Sequence, residues 1–566
     1  MRRHEHRIVA LAVTAGAALA VAGCGGGGGG GGSSKHTTTS GGSGGGHSGG
    51  TVTMVESAFP QSLDPGFDYS GQGFEVNSVV YTGLLTYHRA NGTAGTKLMP
   101  GLATALPAIT DGGRTYTMTL RKGLVFSNGK PVVASDFTYA FERAVKIPWG
   151  GSGQFMTPRV IGAAAYAAGK AKTISGIVTN DKTGKIVIHL TKPYGAFENV
   201  LALPALGLVP AGTPMHNEAN NPPPGVGPYM VKSVVVNQSY TLVTNPYWAK
   251  MHIPNIPSGH ASTIVVKINA DVASNAESVL NNSTDVFDYN DTVPGSLLPQ
   301  IRAKAADRFK LAPLGISTWY VFMNVKEKPF SSFLAREAVA VGLSRSAFDR
   351  IASGTLSPAC FLLPPAVPGH PSAPCPYGSS RTGDIAKAKQ LVKRSGMAGT
   401  PVTVWAQSGA PTQPWMTYYT QFLNEIGFKA TIKVIASSVY AQTIGELRLH
   451  PQTGEYEWIE DFPNPMDYYG VLLDGSAILK TNNLNFGEVN DPHINSEVSR
   501  LGVIPSTKLS SSVPAWQKLD EYVARKAYVV PYGYPVFPEF VSDRLNVGAL
   551  VLNPVYGWDF TSFELK

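Results

Sequence analysis

The chain has 566 residues and a formal net charge of +8 at pH 7, with 43% hydrophobic and 15% charged residues. This length exceeds what one compact core can organise, so we expect two or three domains. The 46 Lys and Arg residues are scattered, without a run of five and without a basic helix face, which excludes the usual surface of a nucleic-acid-binding protein. The low charged fraction, with 61 Gly and 42 Pro, favours a loop-rich protein with much strand.

The first 23 residues are typical of an export signal. The basic segment MRRHEHR precedes an apolar run at 8–22, which is too short for a comfortable membrane span and has the length of a signal-peptide core. The pair Arg2 and Arg3 is also found in twin-arginine export signals, but the apolar continuation that this motif needs is missing. The segment VAG before Cys24 resembles the lipobox of bacterial lipoproteins, in which the cysteine is lipidated and begins the mature chain. The other interpretation is a signal peptide, 1–23, followed by an incidental cysteine.

A low-complexity segment follows at 24–50. After Cys24 it is dominated by Gly, Ser and Thr, a composition that cannot bury a core. Random-coil scaling gives 25–50 a mean reach of roughly 25–30 Å. We therefore expect a flexible tether between a lipid anchor and a folded body that lies at the outer membrane surface.

The first half of the folded body is dominated by strand patterns. Residues 115–121 and 185–190 alternate apolar and polar side chains, and the segments SNGK and DKTGK supply turns. Between them, 134–146 is predicted to be a helix with Asp136 near its start. Its apolar stripe consists of Phe137, Ala140, Phe141 and Ala144.

Helices become clearer after residue 330. Ser344 is a candidate cap for a short helix, and Asp384 is a candidate cap for a second one that ends at Gly396. The pattern then predicts a strand at 402–407, a helix at 416–428 and a strand at 430–435. This order indicates an α/β lobe, so the fold class is α/β.

The segment YEWIEDFPNP, residues 456–465, combines aromatic and acidic side chains and ends in two prolines. We expect it to be too polar for a buried core strand and too rich in proline for a helix. The sequence therefore raises the question of what an acidic, aromatic corner does in a basic chain.

Two cysteines remain besides Cys24. Cys360 and Cys375 lie in one proline-rich loop, and a disulfide between them is worth about 3 kcal/mol in the chain-entropy model. The alternative is two unpaired buried thiols, and export favours the disulfide. The spacing, without clustered histidines, is not that of a zinc site, so no metal and no cofactor are expected.

The sequence argues against an enzyme. Ser127 to Lys130 is formally S-x-x-K and KTG follows at 182–184, a pair used by penicillin-binding proteins and β-lactamases. In those enzymes the serine must open a helix, whereas the Asn-Gly sequence after Ser127 predicts a hairpin turn. The motifs G-x-S-x-G, H-E-x-x-H and G-x-x-x-x-G-K-[ST] are absent from residues 51–566, so we expect neither an enzyme nor an ATP site.

Seven blocks in order resemble the family 5 extracellular solute-binding proteins, the peptide- and nickel-binding components of ABC importers. The blocks are SLDPG (62–66), VYTGLLTY (80–87), MPGLATAL (99–106), 116–144, PPGVGPYMV (223–231), TLVTNPYW (241–248) and 322–345. The resemblance covers nearly everything from residue 51 to the end.

This resemblance implies a two-lobed periplasmic-binding-protein fold of type II, with an extra subdomain inserted in lobe one. Lobe one would comprise 51–311, with the inserted subdomain at about 75–203, and the return segment 528–566. Lobe two would comprise 312–527. Closure of the lobes around a ligand would be the functional event.

The resemblance also answers the question about the acidic corner. WIEDFPNP is similar to the family's Trp-x-x-Asp-Tyr-Pro-Asp-Pro segment, which lines the ligand cleft. Asp461 falls where the aspartate of peptide-binding members holds the ligand's α-ammonium group. Trp458 would form a wall of the cleft, and the strand through Ile459 would pair with an extended peptide. The alternative is that Asp461 caps a turn before Pro463.

The segment departs from the family at several positions. The usual second aspartate is Asn464, and Phe462 replaces tyrosine. Glu457 and Glu460 add negative charge that either selects cationic ligands or is simply solvated.

Three further residues carry over from the resemblance. Ala58 and Phe59 match the N-terminal strand that runs past the ligand. Tyr440 falls where many members have a tryptophan facing the cleft, and a place in the core is the alternative for each aromatic.

The implied function is that of a monomeric, extracytoplasmic binding protein, lipid-anchored to the cell membrane. It would deliver short peptides or other small solutes to an ABC permease and its ATPase subunits. A metal chelate as ligand stays open. A surface sensor or adhesion module that reuses the fold is the alternative function.

Overall fold

The computed structural model describes residues 49–147, 153–378 and 381–566. The predicted signal peptide 1–23, Cys24 and nearly all of the tether 24–50 lie outside the described residues. None of the described helices combines the length and the apolar character that a membrane crossing requires. The described residues belong to one compact unit, Gly46–Lys566.

The strands and helices alternate irregularly along the chain. The strands are β1 (Thr51–Glu56), β2 (Leu85–Tyr87), β3 (Leu98–Pro100), β4 (Ala108–Thr110), β5 (Thr115–Thr119), β6 (Ile177–Asn180), β7 (Lys185–His189), β8 (Tyr229–Val235), β9 (Ser239–Thr244), β10 (Thr263–Ile268), β11 (Val286–Phe287), β12 (Phe309–Ala312), β13 (Ser317–Met323), β14 (Leu356–Pro358), β15 (Pro401–Gln407), β16 (Lys429–Ile435), β17 (Thr453–Ile459), β18 (Val529–Pro535), β19 (Phe537–Phe540), β20 (Leu552–Asn553) and β21 (Gly557–Trp558). The helices are α1 (Gly71–Val80), α2 (Ala134–Lys146), α3 (Gly153–Met156), α4 (Ala163–Ala167), α5 (Phe197–Val200), α6 (Trp248–Met251), α7 (Val272–Leu280), α8 (Leu298–Lys304), α9 (Phe333–Gly342), α10 (Arg345–Ile351), α11 (Ile385–Ser395), α12 (Thr412–Ile426), α13 (Ser437–Ile444), α14 (Met466–Leu472), α15 (Pro492–Leu501) and α16 (Val513–Lys526).

Lobe one is organised by a mixed five-stranded sheet in the order β11-β1-β10-β9-β8. Strand β1 lies inside this sheet and pairs in parallel with β10 and β11. A separate antiparallel sheet, β4-β5-β7-β6, lies within the predicted inserted subdomain. We call residues 75–203 the inserted segment.

The predicted elements of the inserted segment are confirmed. Strand β5 pairs antiparallel with β7, and α2 has the predicted bounds 134–146. Asp136 lies in the first turn of this helix and stabilises its N-terminus, because its Oδ2 accepts a hydrogen bond of 2.9 Å from the backbone N–H of Val133. The buried side chains of α2 include the predicted stripe of Phe137, Ala140, Phe141 and Ala144.

Lobe two is organised by a six-stranded sheet in the order β14-β18-β13-β17-β15-β16. The predicted strand–helix–strand unit is confirmed, because β15 and β16 are parallel and α12 connects them. Asp384 caps α11 by accepting from the backbone N–H of Lys387 at 2.9 Å, and Gly396 ends it with φ of 71°. Ser344 precedes α10 but does not cap it, because its hydroxyl donates instead to the carbonyl of Arg381.

One expectation about YEWIEDFPNP is wrong. Residues 456–459 belong to β17, which lies inside the six-stranded sheet between β13 and β15. The strand tolerates its glutamates because distant groups bind them: Glu455 accepts from the backbone N–H of Gln407 at 2.9 Å, and Glu457 accepts from the hydroxyl of Ser317. Burial raises the pKa of Glu455 to about 8 and that of Glu457 to about 7, which favours the neutral acids.

The lobes are connected by an antiparallel ribbon of β12 and β19. The chain leaves lobe one after β12, close to the predicted crossing at 312. Strand β18, which follows the predicted second crossing near residue 528, pairs with β13 of the six-stranded sheet.

Cys360 and Cys375 are joined by a disulfide in this structure, with a Cα–Cα distance of 5.7 Å. The bond closes the loop between β14 and α11 of lobe two.

Candidate functional site

Two adjoining cavities lie between the lobes. The first, of about 230 Å³, is lined by Asp461 and Glu460 of lobe two and by Tyr69 of lobe one, and we call it the Asp461 cavity. The second, of about 380 Å³, is lined by Trp319 and Trp415 of lobe two, and we call it the Trp319 cavity. Both cavities share the lining residues Tyr289, Asn290, Ile459 and Phe537, so they form one cleft.

Asp461 lies at the end of β17, where the chain turns toward α14. Its side chain is 6% exposed. The hydroxyl of Tyr69, 392 residues away in the chain, donates to its Oδ1 across the cleft. Its Oδ2 is buried and has no hydrogen-bond partner among the described residues. Asp461 therefore presents one buried acceptor that no described donor uses.

Other side chains form the hydrogen bonds that stabilise the turn between β17 and α14. Asp461 is therefore not needed as its cap. Asn464 Oδ1 accepts from the backbone N–H of Met466 at 3.0 Å. Asp467 Oδ2 accepts from the backbone N–H of Asp461 at 2.8 Å and from the indole N–H of Trp458 at 3.2 Å. The carboxylate of Asp461 is thus left for the cleft.

Trp458 supports the site without lining it. Its side chain is 7% exposed and packs in the core of lobe two. It is not among the lining residues of either cavity. Its contribution here is the hydrogen bond that orients Asp467, so the expectation of a cleft wall does not match its position.

Ile459 lines both cavities, with 53% of its surface exposed. Strand β17 pairs with β13 along its whole length, but its pairing with β15 includes only Thr453 and Gly454. Beyond Gly454 this edge of β17 has no strand partner in the part of the chain that the structure describes. An extended ligand can pair with such an edge.

The remaining predicted site residues lie outside the cavity linings. Ala58 is exposed just after β1, and Phe59 is half-buried and packs edge-on against Tyr240 at 6.0 Å. Tyr440 is 1% exposed, and its hydroxyl bonds to the carbonyls of Trp405 and Glu455. Tyr440 therefore lies in the core of lobe two, the alternative to a place in the cleft, and its hydroxyl is satisfied there by backbone carbonyls.

The charge of the Asp461 cavity is uncompensated. Asp461, Asp467 and Glu460 are buried together, and none of them forms an ion pair with a described Lys, Arg or His. Burial raises the pKa of Asp461 to about 6, although the hydroxyl of Tyr69 and the side chain of Asp467 both oppose the shift. Burial and the charge of Asp461 raise the pKa of Glu460 well above its usual range. A positively charged ligand would supply the missing partner.

Phe462, next to Asp461, forms an apolar contact between the two lobes. It belongs to lobe two by sequence, yet it is fully buried in the apolar core of the inserted segment. Its ring meets Phe155 edge-on at 5.2 Å. The backbone N–H of Gly195 donates to the carbonyl of Gly502 at 2.7 Å, which adds a second contact between the inserted segment and lobe two.

The sequence missed several cleft residues. Tyr69 carries no spacing signal, because its partner lies at the far end of the chain. Trp319 lies in an apolar stretch that is typical of a core strand, and no motif marks Trp415. Ser127 does lie in the predicted hairpin turn, where the N–H of Gly129 bonds to the carbonyl of Phe126 at 2.8 Å. Among the described residues no group of His, Cys, Asp and Glu could hold a metal ion.

Two α/β lobes joined by a ribbon, with a cleft between them, define the class of two-lobed solute-binding proteins. Residues 97–479 match the family of bacterial extracellular solute-binding proteins, family 5, in its middle region, and the chain belongs to this family. The expected family and fold class are thereby confirmed. This is a family of binding proteins that act outside the cytoplasm, and it is not a family of enzymes.

Individual relatives agree with this assignment. The oligopeptide-binding protein OppA of Lactococcus lactis subsp. lactis (strain IL1403) is 24% identical over 501 residues, which cover 77% of this chain and 78% of the relative. The structure of a clavulanic acid biosynthesis oligopeptide binding protein 2 superposes with a TM-score of 0.84 at 22% identity, covering 92% of this chain and 96% of that one. The structure of DppA from Helicobacter pylori in complex with the peptide STSA superposes with a TM-score of 0.70 at 20% identity, covering 92% and 98%. At these identities the two structures show the fold alone.

Proposed function

We propose that the protein is the substrate-binding component of an ABC importer and that it captures short peptides in the cleft between its lobes. The observation that carries this proposal is the buried carboxylate of Asp461, which lines the cleft with one oxygen unpartnered. An α-ammonium group supplies both the charge and the donors that this oxygen lacks.

The open edge of β17 supports a peptide over a compact solute. A peptide whose ammonium group binds Asp461 can run along Ile459 into the Trp319 cavity and pair with this edge. The Lactococcus relative is named an oligopeptide-binding protein, and the Helicobacter structure contains a bound peptide.

The remaining parts of the proposal concern anchoring and delivery. The signal peptide 1–23 would be removed, Cys24 lipidated, and the tether 24–50 would hold a monomer at the outer face of the cell membrane. Opening and closing would occur about the ribbon of β12 and β19, and the closed form would dock on a permease with its ATPase subunits.

Calorimetric titration tests the role of Asp461. Unblocked trialanine should bind, and its N-acetylated form should bind at least tenfold more weakly. Asp461→Asn should weaken unblocked trialanine by a similar factor, since losing one partner of a desolvated charge pair costs about 2–5 kcal/mol. The exposed Asp307 provides the matched control, because Asp307→Asn removes a carboxylate that lines neither cavity of the cleft.

Thermal unfolding separates a ligand anchor from a turn cap. The empty Asp461→Asn protein should keep its thermal midpoint or gain slightly, because a buried carboxylate without an ion-pair partner is removed. A cap would instead lose about 1 kcal/mol on substitution, with little change in affinity. Equal affinity of both proteins for both peptides would refute the peptide-ammonium role and favour another ligand, such as a metal chelate.

A further inference from the structure

Glu460 is a buried carboxylate without a hydrogen-bond partner for its side chain. It is 6% exposed and lines the Asp461 cavity. Neither of its carboxylate oxygens has a partner among the described residues, although its backbone N–H donates to the carbonyl of Ile316 at 2.9 Å. The preceding glutamates differ, because Glu455 and Glu457 each accept a hydrogen bond from another strand or its end. The idea that Glu460 is simply solvated is therefore wrong.

The neighbours of Glu460 do not explain its burial. The neighbouring carboxylates of Asp461 and Asp467 repel the charge of Glu460, so they cannot supply the missing partner. Leaving a buried acceptor unsatisfied destabilises a protein, so an arrangement of this kind is expected where a ligand supplies the partner. No group of ligating side chains among the described residues fits a metal ion in its place.

The cavity also provides a surface for the stem of a cationic side chain. Its other lining residues include the aromatic side chains of Tyr69, Phe74, Tyr289 and Phe537. Aromatic faces attract ammonium and guanidinium groups and cover the methylene groups that carry them.

We propose that Glu460 is a specificity-determining residue that binds a second positive charge on the ligand, beside the one held by Asp461. Adjacent residues in one cavity of about 230 Å³ can reach only cations that are a few bonds apart. The ligand chemistry is thus an α-ammonium and a side-chain cation on the same residue, a peptide that begins with lysine or arginine. A free diamine presents the same two charges. The peptide form rests on the proposed function.

The test compares Lys-Ala-Ala with norleucine-Ala-Ala, which has nearly the same shape without the side-chain charge. By calorimetry at pH 7, the wild-type protein should bind the lysine peptide more than about tenfold more tightly. Glu460→Gln should reduce this ratio to within about twofold of one. Glu277→Gln, which changes an exposed glutamate of α7, should retain the full ratio.

The outcomes distinguish the role of Glu460 from the proposed peptide function. Equal binding of the two peptides to the wild type refutes the role of Glu460 and leaves the peptide function intact, and this comparison needs no variant to fold. A lysine preference that survives in Glu460→Gln also refutes it. If neither peptide binds but cadaverine does, and Glu460→Gln abolishes this, the dication role stands and the peptide function falls. If none of the three binds, both fall.

Discussion

The pKa of Asp461 makes ligand binding depend on pH in a predictable direction. Burial raises this pKa to about 6 in the empty protein, so the carboxyl is about nine-tenths ionised at pH 7 and about one-tenth ionised at pH 5. Only the ionised form attracts an ammonium group. Affinity for unblocked trialanine should therefore fall about tenfold between pH 7 and pH 5, or about 1.4 kcal/mol.

Trialanine isolates this group because its own charges stay constant. Its amino group, with a pKa near 8, remains protonated, and its carboxyl group, with a pKa near 3.5, remains ionised across the range. Burial and the charge of Asp461 also raise the pKa of Glu460 above its usual range. Calorimetry at pH 5, 6 and 7, in two buffers of different ionisation enthalpy, measures both the affinity and the protons released.

The stability of the empty protein should respond in the opposite sense. A carboxyl whose folded pKa lies above its unfolded value of 3.8 contributes stability that is complete below that value and is lost as pH rises through about 6. The increase in thermal midpoint that trialanine produces should therefore be larger at pH 7 than at pH 5. Constant affinity across this range, or an equal pH dependence in Asp461→Asn, would refute the reasoning.

Other consequences can be measured separately. Tyr69→Phe removes the hydrogen bond that opposes the shift of Asp461, so the midpoint of the pH dependence should move above 6; an unchanged midpoint would contradict the contact. Cys24→Ser should release the protein from the membrane fraction into a soluble one, and retention would indicate another anchor. Intact-mass analysis after alkylation should show no adduct on Cys360 or Cys375 before reduction and two after it.

Local patterns predicted those elements whose stability is itself local. The helix α2 and the unit of β15, α12 and β16 follow from periodicity, and α11 follows from its cap at Asp384. Strand β17 was missed because its glutamates are satisfied by groups on other strands, which no local pattern contains.

The site divides in the same way. Family resemblance singled out Asp461 and Ile459, both of which line the cleft, whereas Tyr440 lies in the core. The contact of Asp461 with Tyr69 joins residues 392 positions apart, so neither composition nor spacing could predict it. Glu460 was visible as a charge, but its importance appears only once both oxygens are known to be buried without partners.

In the proposed closure of the lobes, the turn after β17 would couple the closed form to the presence of a ligand. Phe462 is fully buried in the core of the inserted segment, so apolar burial favours the closed form whether or not the cleft is occupied. The two preceding residues, Glu460 and Asp461, oppose closure of an empty cleft, because closing removes carboxylates from water without giving them cations. A cationic ligand removes this opposition and leaves the contribution of Phe462. Three consecutive residues would therefore make the proposed closed form depend on the ligand's charge, and a neutral solute of the same shape would gain the apolar contacts without relieving the buried acids.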